Sequence, residues 1–370
     1  MKQTTKDSAP VLLVGPVLPY RGGIAQHTTM LHRAMREMTD LRTISFSRQY
    51  PAWLFPGESD RDPAYEGHRE TGVEYLIDSV DPRTWRKAMA SIIAHPPRQV
   101  IIPWWTIFWT PCFGYLSKRL RAHGIDVIFF CHNVIEHESA AWKQWLTRQV
   151  LKNGTRFVVH TQEDATNLRR FLPDAEVAVQ PHPIYDQFPT ARGKLPRRRA
   201  LELLFYGFVR PYKGLDILIE AMRVLRRQDV QLTIAGEFWE DEAPVRERIT
   251  RLGLEDRIEL RPHYHTEEET AELFARADVV ILPYRSATGS GVVPIAYHYE
   301  KPVIVTRVGG LPDVVRDGKT GFIVPPNDPH ALADKIGTLT AEMCHDMRPQ
   351  IRDLKRSLTW ERLAEVLLNR

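Results

Sequence analysis

Three short stretches of this chain carry residue types suited to gripping an anion and stabilising charge as it develops. The first, GPVLPYRGGIAQH, sets Gly22 and Gly23 just before a helical pattern. Paired glycines let a backbone approach a ligand closely, and a helix start offers free amides to a negative group. The spacing is not G-x-G-x-x-G, so a dinucleotide site is not favoured. A tight turn joining strand to helix is the plain alternative. In the second stretch, FYGFVRPYKG, Arg210 and Lys213 stand three apart between a strand pattern and a helix. A guanidinium and an ammonium at a strand's carboxyl end can hold a diphosphate and stabilise it as it leaves. Two solvated surface cations would look the same in isolation. The third stretch, PYRSATGSGVVP, places Gly289, Ser290 and Gly291 ahead of a helix from Val292. Its amides and hydroxyl suit phosphate oxygens, unless Ser290 merely caps the helix.

Other chemistry is sparse. His132 follows the strand pattern Val127–Phe130 in CHNVIEHES, a position that faces a ligand in parallel sheets. His27, His137 and His160 read more readily as structural histidines. Asp60-Arg61-Asp62 has the letters of a metal-binding D-x-D but sits in a loop rich in proline, glycine and charge. No metal is expected there. There is no H-E-x-x-H, and no Ser-His-Asp or Cys-His arrangement at recognisable spacing. Cys112, Cys131 and Cys344 are far apart, which suits neither a disulfide framework nor a zinc site. A reducing, cytoplasmic setting follows.

The elements that must position these loops alternate as strand and helix. Strand patterns at Val11–Val14, Val100–Ile102, Val127–Phe130, Phe157–Val159 and Val177–Val179, with a helix over Ile24–Met38, give the βαβα rhythm of a doubly wound parallel sheet. Pro189–Arg199, PTARGKLPRRR, reads as a linker. The rhythm restarts with strands at Leu201–Tyr206, Gln231–Ala235, Ile258–Leu260, Val279–Leu282 and Pro302–Thr306, and helices at Gly214–Arg227 and Ala243–Leu252. The expected fold is therefore α/β, with two Rossmann-like domains over 1–188 and 200–357 facing across a cleft.

The chain has 370 residues and a formal charge of +4, too mild a basic excess to argue for nucleic acid. Its polar N-terminus lacks the apolar segment of a secretory signal. Val100–Leu116 is uncharged and about 17 residues long, the lower limit for a membrane span. Pro103, Pro111 and Gly114 interrupt it, so it reads as a buried strand, a turn and a helix. The aromatic cluster Trp104, Trp105, Phe108, Trp109, Phe113 and Tyr115 has two readings: core packing with one wall of an acceptor cleft, or an interfacial surface for a lipid-linked acceptor. Lys118, Arg119 and Arg121 follow it.

Taken in order, the G-G loop, the HN after a strand, G-x-x-R-x-x-K-G, A-G-E, the small-residue loop, KPVIVTxxGGLPDVV, TGFIVP and Trp360 in LTWERLAEVLL resemble the retaining family 4 glycosyltransferases of glycosyl transferases group 1. The resemblance spans nearly the whole chain. It implies a GT-B fold and a metal-independent, hexosyl-type transferase with no cofactor beyond its nucleotide-diphosphate sugar. Arg210 and Lys213 would bind the donor diphosphate. His132 would lie beside the donor sugar, and Gly22 and Gly23 near the phosphates and acceptor. Gly207, Gly236, Glu237, His263, Tyr264, Thr288, Gly289, Ser290, Gly291 and Val292 would line the nucleotide-sugar site. Segment 358–370 would cross back to the first domain. The acceptor would be a glycan or glycolipid in polysaccharide biosynthesis, with peripheral contact at the inner face of a membrane and no nucleic acid. One departure stands out: Ala287 and Ile295 occupy the positions of the family's paired glutamates. That loss motivates one rival, a silent scaffold that binds a nucleotide sugar or a partner enzyme; a second rival is a different GT-B enzyme, such as a sugar-nucleotide epimerase or a phosphorylase.

Overall fold

The structure, a computed structural model, describes residues 10–51, 60–62, 65–134, 141–186, 188–193, 195–287 and 289–369. The chain divides into two compact units, Met1–Pro181 with Trp360–Arg370, and His182–Thr359.

In the first unit, β1 (Val11–Val14), α1 (Gly23–Met38), β2 (Leu41–Arg48), β3 (Val73–Asp78), α2 (Pro82–Ala94), β4 (Gln99–Trp104), α3 (Thr110–Ala122), β5 (Asp126–Cys131), α4 (Ala141–Leu151), β6 (Arg156–Val159), α5 (Gln162–Phe171) and β7 (Val177–Val179) follow in order. The seven strands are parallel in the order β3-β2-β1-β4-β5-β6-β7. Helices on both faces bury the central strands, so β1 and β5 read as unbroken apolar runs rather than alternating ones. β2 and β3 extend the sheet beyond the strands visible as apolar runs. The order reverses between β1 and β4, and ligands of open parallel sheets bind at the carboxyl ends beside such a switch. The loop carrying Gly22 leaves β1 there.

The second unit repeats the plan with β8 (Leu201–Tyr206), α6 (Leu215–Val224), β9 (Val230–Ala235), α7 (Ala243–Arg251), β10 (Ile258–Arg261), α8 (Glu267–Arg276), β11 (Val279–Leu282), α9 (Val292–His298), β12 (Val303–Thr306), α10 (Leu311–Val314), β13 (Gly321–Val324), α11 (Pro329–Thr338), α12 (Ala341–Asp346) and α13 (Arg348–Lys355). Its sheet is parallel in the order β10-β9-β8-β11-β12-β13. The switch falls between β8 and β11, the two strands whose loops hold Arg210, Lys213 and Ser290. Phe188 and Pro189 are held to this unit: Tyr299 OH donates to the Pro189 carbonyl at 3.0 Å, and Phe188 O lies 3.0 Å from His298 Nε2.

After the second unit the chain returns to the first through α14 (Trp360–Leu368), which packs on α1. Gln99 Nε2 donates to Leu367 O at 3.2 Å and Arg156 Nη1 to Val366 O at 2.9 Å. These bonds satisfy last-turn carbonyls that a helix leaves open. Trp360, Leu363, Ala364 and Leu367 turn inward.

The stretch Val100–Leu116 is β4, a short turn and α3, and no helix among the described residues is long and apolar enough to cross a membrane. The aromatic cluster takes the first of its two readings, core packing. Trp104, Trp105, Trp109 and Phe113 are buried, and Phe108 and Tyr115 pack against the same core. Trp109 stacks on Phe113 with centroids 5.2 Å apart. These rings fill the space between sheet and helices, with Phe108 and Tyr115 half-buried at its margin. Leu363 is fully buried in α14. Leu363→Ala is expected to lower stability by about 2–5 kcal/mol, read as an earlier first transition in urea unfolding.

Candidate nucleotide-sugar site

In the second unit, glycines let two strand-end turns meet. Gly207 follows β8 with φ 95°, and its amide donates to Ala235 O at 3.0 Å. Gly236 follows β9 with φ 153°, and a Cβ there would run into the Gly207 carbonyl. No other residue type permits that approach. The Val209 amide then donates to Glu237 O at 2.9 Å, extending the pairing past the strands. Gly214, left-handed at φ 66°, opens α6, and a Cβ on it would strike the Pro283 carbonyl. The loops after β8 and β11 therefore lie against each other.

Lys213 points into this junction and is only 8% exposed. A Cβ built on Gly207 would stand 3.4 Å from Lys213 Nζ and 3.5 Å from Val292 Cγ2, so the ammonium, the first turn and the start of α9 converge. Nζ also lies 5.6 Å from the Tyr284 ring centroid. Burial, and next the charge of Arg210, push the Lys213 pKa down from 10.5 to about 8. Arg210 itself is exposed. Its guanidinium lies 4.1 Å over the Trp239 ring and 5.7 Å from that of Tyr212, which orients a cation without neutralising it.

The loop after β11 is braced from behind. Arg285 pairs twice with Asp216 of α6, at 2.6 and 2.7 Å, and its amide donates to Tyr212 O at 2.7 Å. That guanidinium holds the Asp216 carboxyl below its usual range. Ser290 Oγ accepts the Val292 amide at 3.1 Å, so the hydroxyl acts on the helix start. Gly289 and Gly291 are exposed, with open space beside them. Thr288 lies outside the described residues. Ala287 and Ile295 are buried apolar residues. His263 and Tyr264, both exposed, follow β10 two strands from β8 at the sheet edge. Along the carboxyl edge the order is thus His263, Glu237, Arg210 and Lys213, then Ser290.

In the first unit, Gly22 and Gly23 are exposed at the start of α1, with Gly22 at φ 103°. His132 follows β5, and its amide donates to Trp104 O at 2.8 Å. His132 Nδ1 lies 3.2 Å from His160 Nε2, and His160 Nδ1 lies 3.1 Å from the Gln180 carbonyl. A carbonyl only accepts, so His160 carries its proton on Nδ1. With both rings neutral, His132 then donates from Nδ1 to His160 Nε2. His27, one turn into α1, completes the cluster, its ring 4.7 Å from those of His132 and Trp360. Sequence spacing showed these histidines singly; only the fold brings them together. His137 lies outside the described residues. Asp60 Oδ2 accepts the Tyr50 amide at 3.3 Å, and Arg61 bridges to Tyr20.

Two Rossmann-like parallel sheets in one chain, each with a glycine-bearing loop at its switch point, are the make-up of a GT-B fold. Likeness to solved structures agrees. Anabaena HepE in complex with UDP superposes with a TM-score of 0.74 at 16% identity, over 97% of this chain and 100% of that one. A glycosyltransferase from Rickettsia africae gives 0.75 at 16% identity, over 98% and 97%. Residues 200–342 match the family model of glycosyl transferases group 1, and the chain is related to that family through its second unit. Among curated proteins, D-inositol 3-phosphate glycosyltransferase of Streptomyces scabiei is 32% identical over 209 residues, 51% of this chain and 47% of that protein. The Corynebacterium glutamicum enzyme of the same name is 30% identical over 52% and 50%. The chain spans about half the length of the curated relatives it matches.

Among the described residues no carboxylate pairs with Lys213. Its lowered pKa means that the native state binds fewer protons than the unfolded chain between pH 8 and 10.5, so stability rises with pH across that window. At pH 7, Lys213→Met is expected to stabilise the protein by about 1–3 kcal/mol. The gain should shrink as pH rises from 8 toward 10.5, as checked by urea unfolding at both ends of the window.

Proposed function

We propose that this protein is a retaining glycosyltransferase that moves a sugar from a nucleoside-diphosphate donor to a hydroxyl of a glycan or glycolipid, without a metal. The observation that carries this reading is the buried Lys213, with no carboxylate partner among the described residues, beside exposed Arg210, where the glycine turns after β8 and β9 meet the loop after β11. A diphosphate supplies the negative charge this junction lacks. As it departs, the ammonium and guanidinium hold its growing charge in place of a metal ion. The glycines of both turns leave room for the nucleotide, and His263 and Tyr264 border the base.

His132, with Gly22 and Gly23, serves the sugar and acceptor from the first unit. The bond from the sugar's anomeric carbon to phosphate breaks. A bond to the acceptor oxygen forms on the same face. The acceptor's proton goes to the departing phosphate oxygen. Loss of the paired glutamates at Ala287 and Ile295 leaves ribose recognition to other groups. It also motivates the alternative of a silent scaffold, with a sugar-nucleotide epimerase as a separate rival.

Because HepE was crystallised with UDP, uridine diphosphate is the first nucleotide to test, with GDP, ADP and dTDP beside it. At about 100 times its dissociation constant, the right diphosphate should stabilise the protein by about 2.7 kcal/mol in a thermal melt. Arg210→Ala should lose most of that. The effect should fade above pH 8, as Lys213 sheds its proton. If no nucleotide stabilises the protein, the scaffold reading replaces this one. Free nucleoside diphosphate plus glycoside as products means transfer, whereas an altered sugar on intact nucleotide means epimerisation.

We further place the protein in the cytoplasm, resting on the anionic inner face of a membrane. This rests on α3 and α4, which pack together and contain no acidic residue. Lys118, Arg119, Arg121 and Arg148 are exposed on them. So are Trp142 at 57% and Trp145 at 59%, one turn apart. Exposed tryptophan with basic neighbours suits the headgroup layer. Trp142→Ala with Trp145→Ala is expected to weaken binding to phosphatidylglycerol vesicles by about tenfold or more, in a sedimentation assay. Equal binding by the double variant would remove this face from consideration.

A further inference from the structure

The turn between β10 and α8, HYHTEEE, brings together two imidazoles and a carboxylate. Thr266 caps α8, and the cap fixes the carboxylate. Glu269 N donates to Thr266 Oγ1 at 3.2 Å, while Thr266 N donates to Glu269 Oε2 at 2.9 Å. Held in that way, Glu269 Oε2 lies 3.6 Å from His265 Nδ1, and Oε1 lies 3.7 Å from His263 Nε2. The two rings are 4.1 Å apart, centroid to centroid. One ligand atom from each of the three residues falls within 4.8 Å of the other two. Ligands around a tetrahedral zinc stand about 3.3 to 3.5 Å apart when each is about 2.0–2.2 Å from the ion. Small side-chain rotations close the difference.

His265 supplies the second observation. It is only 5% exposed. Among the described residues, neither of its ring nitrogens makes a hydrogen bond of good geometry. A buried polar side chain without a partner calls for a ligand or a compensating group. The Glu269 carboxylate does not supply it, since at 3.6 Å from Nδ1 it stands beyond hydrogen-bond reach. A neutral imidazole is the form that binds metal. The nearest cation, Arg261, is taken up by Glu259 at 2.7 Å.

We propose that His263, His265 and Glu269 bind a divalent transition-metal ion. Two nitrogens and one carboxylate oxygen select zinc, cobalt or nickel over magnesium or calcium. The fourth position is left to water. The ion ties the end of β10 to the first turn of α8 and fixes His263, which otherwise projects into solvent. The site shares His263 with the border of the proposed base site, but its presence does not depend on the transferase reading.

The test uses the full chain, freed of metal by a chelator. Zn2+ is titrated by calorimetry and Co2+ by visible absorption. One saturable ion per chain is expected, with the strong visible bands of four-coordinate cobalt and a higher melting temperature in zinc. His263→Ala and Glu269→Gln should each weaken binding by about tenfold or more. Glutamine keeps the cap's acceptor oxygen, so an unchanged metal-free melting temperature in Glu269→Gln separates loss of the ion from loss of the helix start. No saturable binding, or unchanged affinity in both variants, would overturn the proposal. The second result would move the ion elsewhere, with the His27, His132 and His160 cluster of the first unit the next place to look.

Discussion

The carbonyl of Gly207 occupies the place where any side chain on Gly236 would begin. The ends of β8 and β9 can therefore touch backbone to backbone, and the chain beyond β8 is free to fold down over the sheet's edge. Much of the second unit's candidate site depends on this. Gly214 repeats the device against Pro283, so three turns approach one another main chain to main chain. The side chains of Lys213 and Val292 meet at the first of these turns.

Such a junction has an energetic character of its own. An ammonium taken out of water, with no carboxylate beside it among the described residues, disfavours its own charge, and the pKa of about 8 records that. The scaffold tolerates the strain because its surroundings are over-determined. Arg285 and Asp216 lock the neighbouring loop to α6, and Trp239 fixes Arg210 from outside. An electrostatic deficit held by rigid neighbours favours an anion and gives little to a neutral ligand.

The sequence made the strands flanking both switch points legible because these strands are buried on both faces. Val11–Val14, Val127–Phe130, Leu201–Tyr206 and Val279–Leu282 appear as unbroken apolar runs, and the glycine-bearing loops follow them. β2 was hidden because Thr43 and Ser45 are polar yet fully buried, and β3 because an edge strand carries Glu74 and Tyr75. The site residues were visible where chemistry and spacing coincide, as at Arg210 and Lys213. Side-chain partners distant in sequence were not. Nothing in the spacing of His27, His132 and His160 announces a cluster, and nothing about Arg285 announces Asp216. The aromatic run after β4 carried two readings, and the fold chose core packing. Its composition suited an interface, but strand and helix periodicity turned its largest rings inward, leaving Trp142 and Trp145 as the tryptophans that meet solvent on the neighbouring helix.

The return of α14 to the first unit sets an order of events during synthesis. Everything in the second unit precedes that helix in the chain, so the second unit is whole before the first can be. Until α14 emerges from the ribosome, the face of α1 around His27 lacks Trp360, and Gln99 and Arg156 lack the carbonyls they bind in the finished fold. The part of the molecule made first is thus completed last. A nascent chain paused after Thr359 carries a finished second unit and an exposed apolar groove in the first, the kind of surface a chaperone holds.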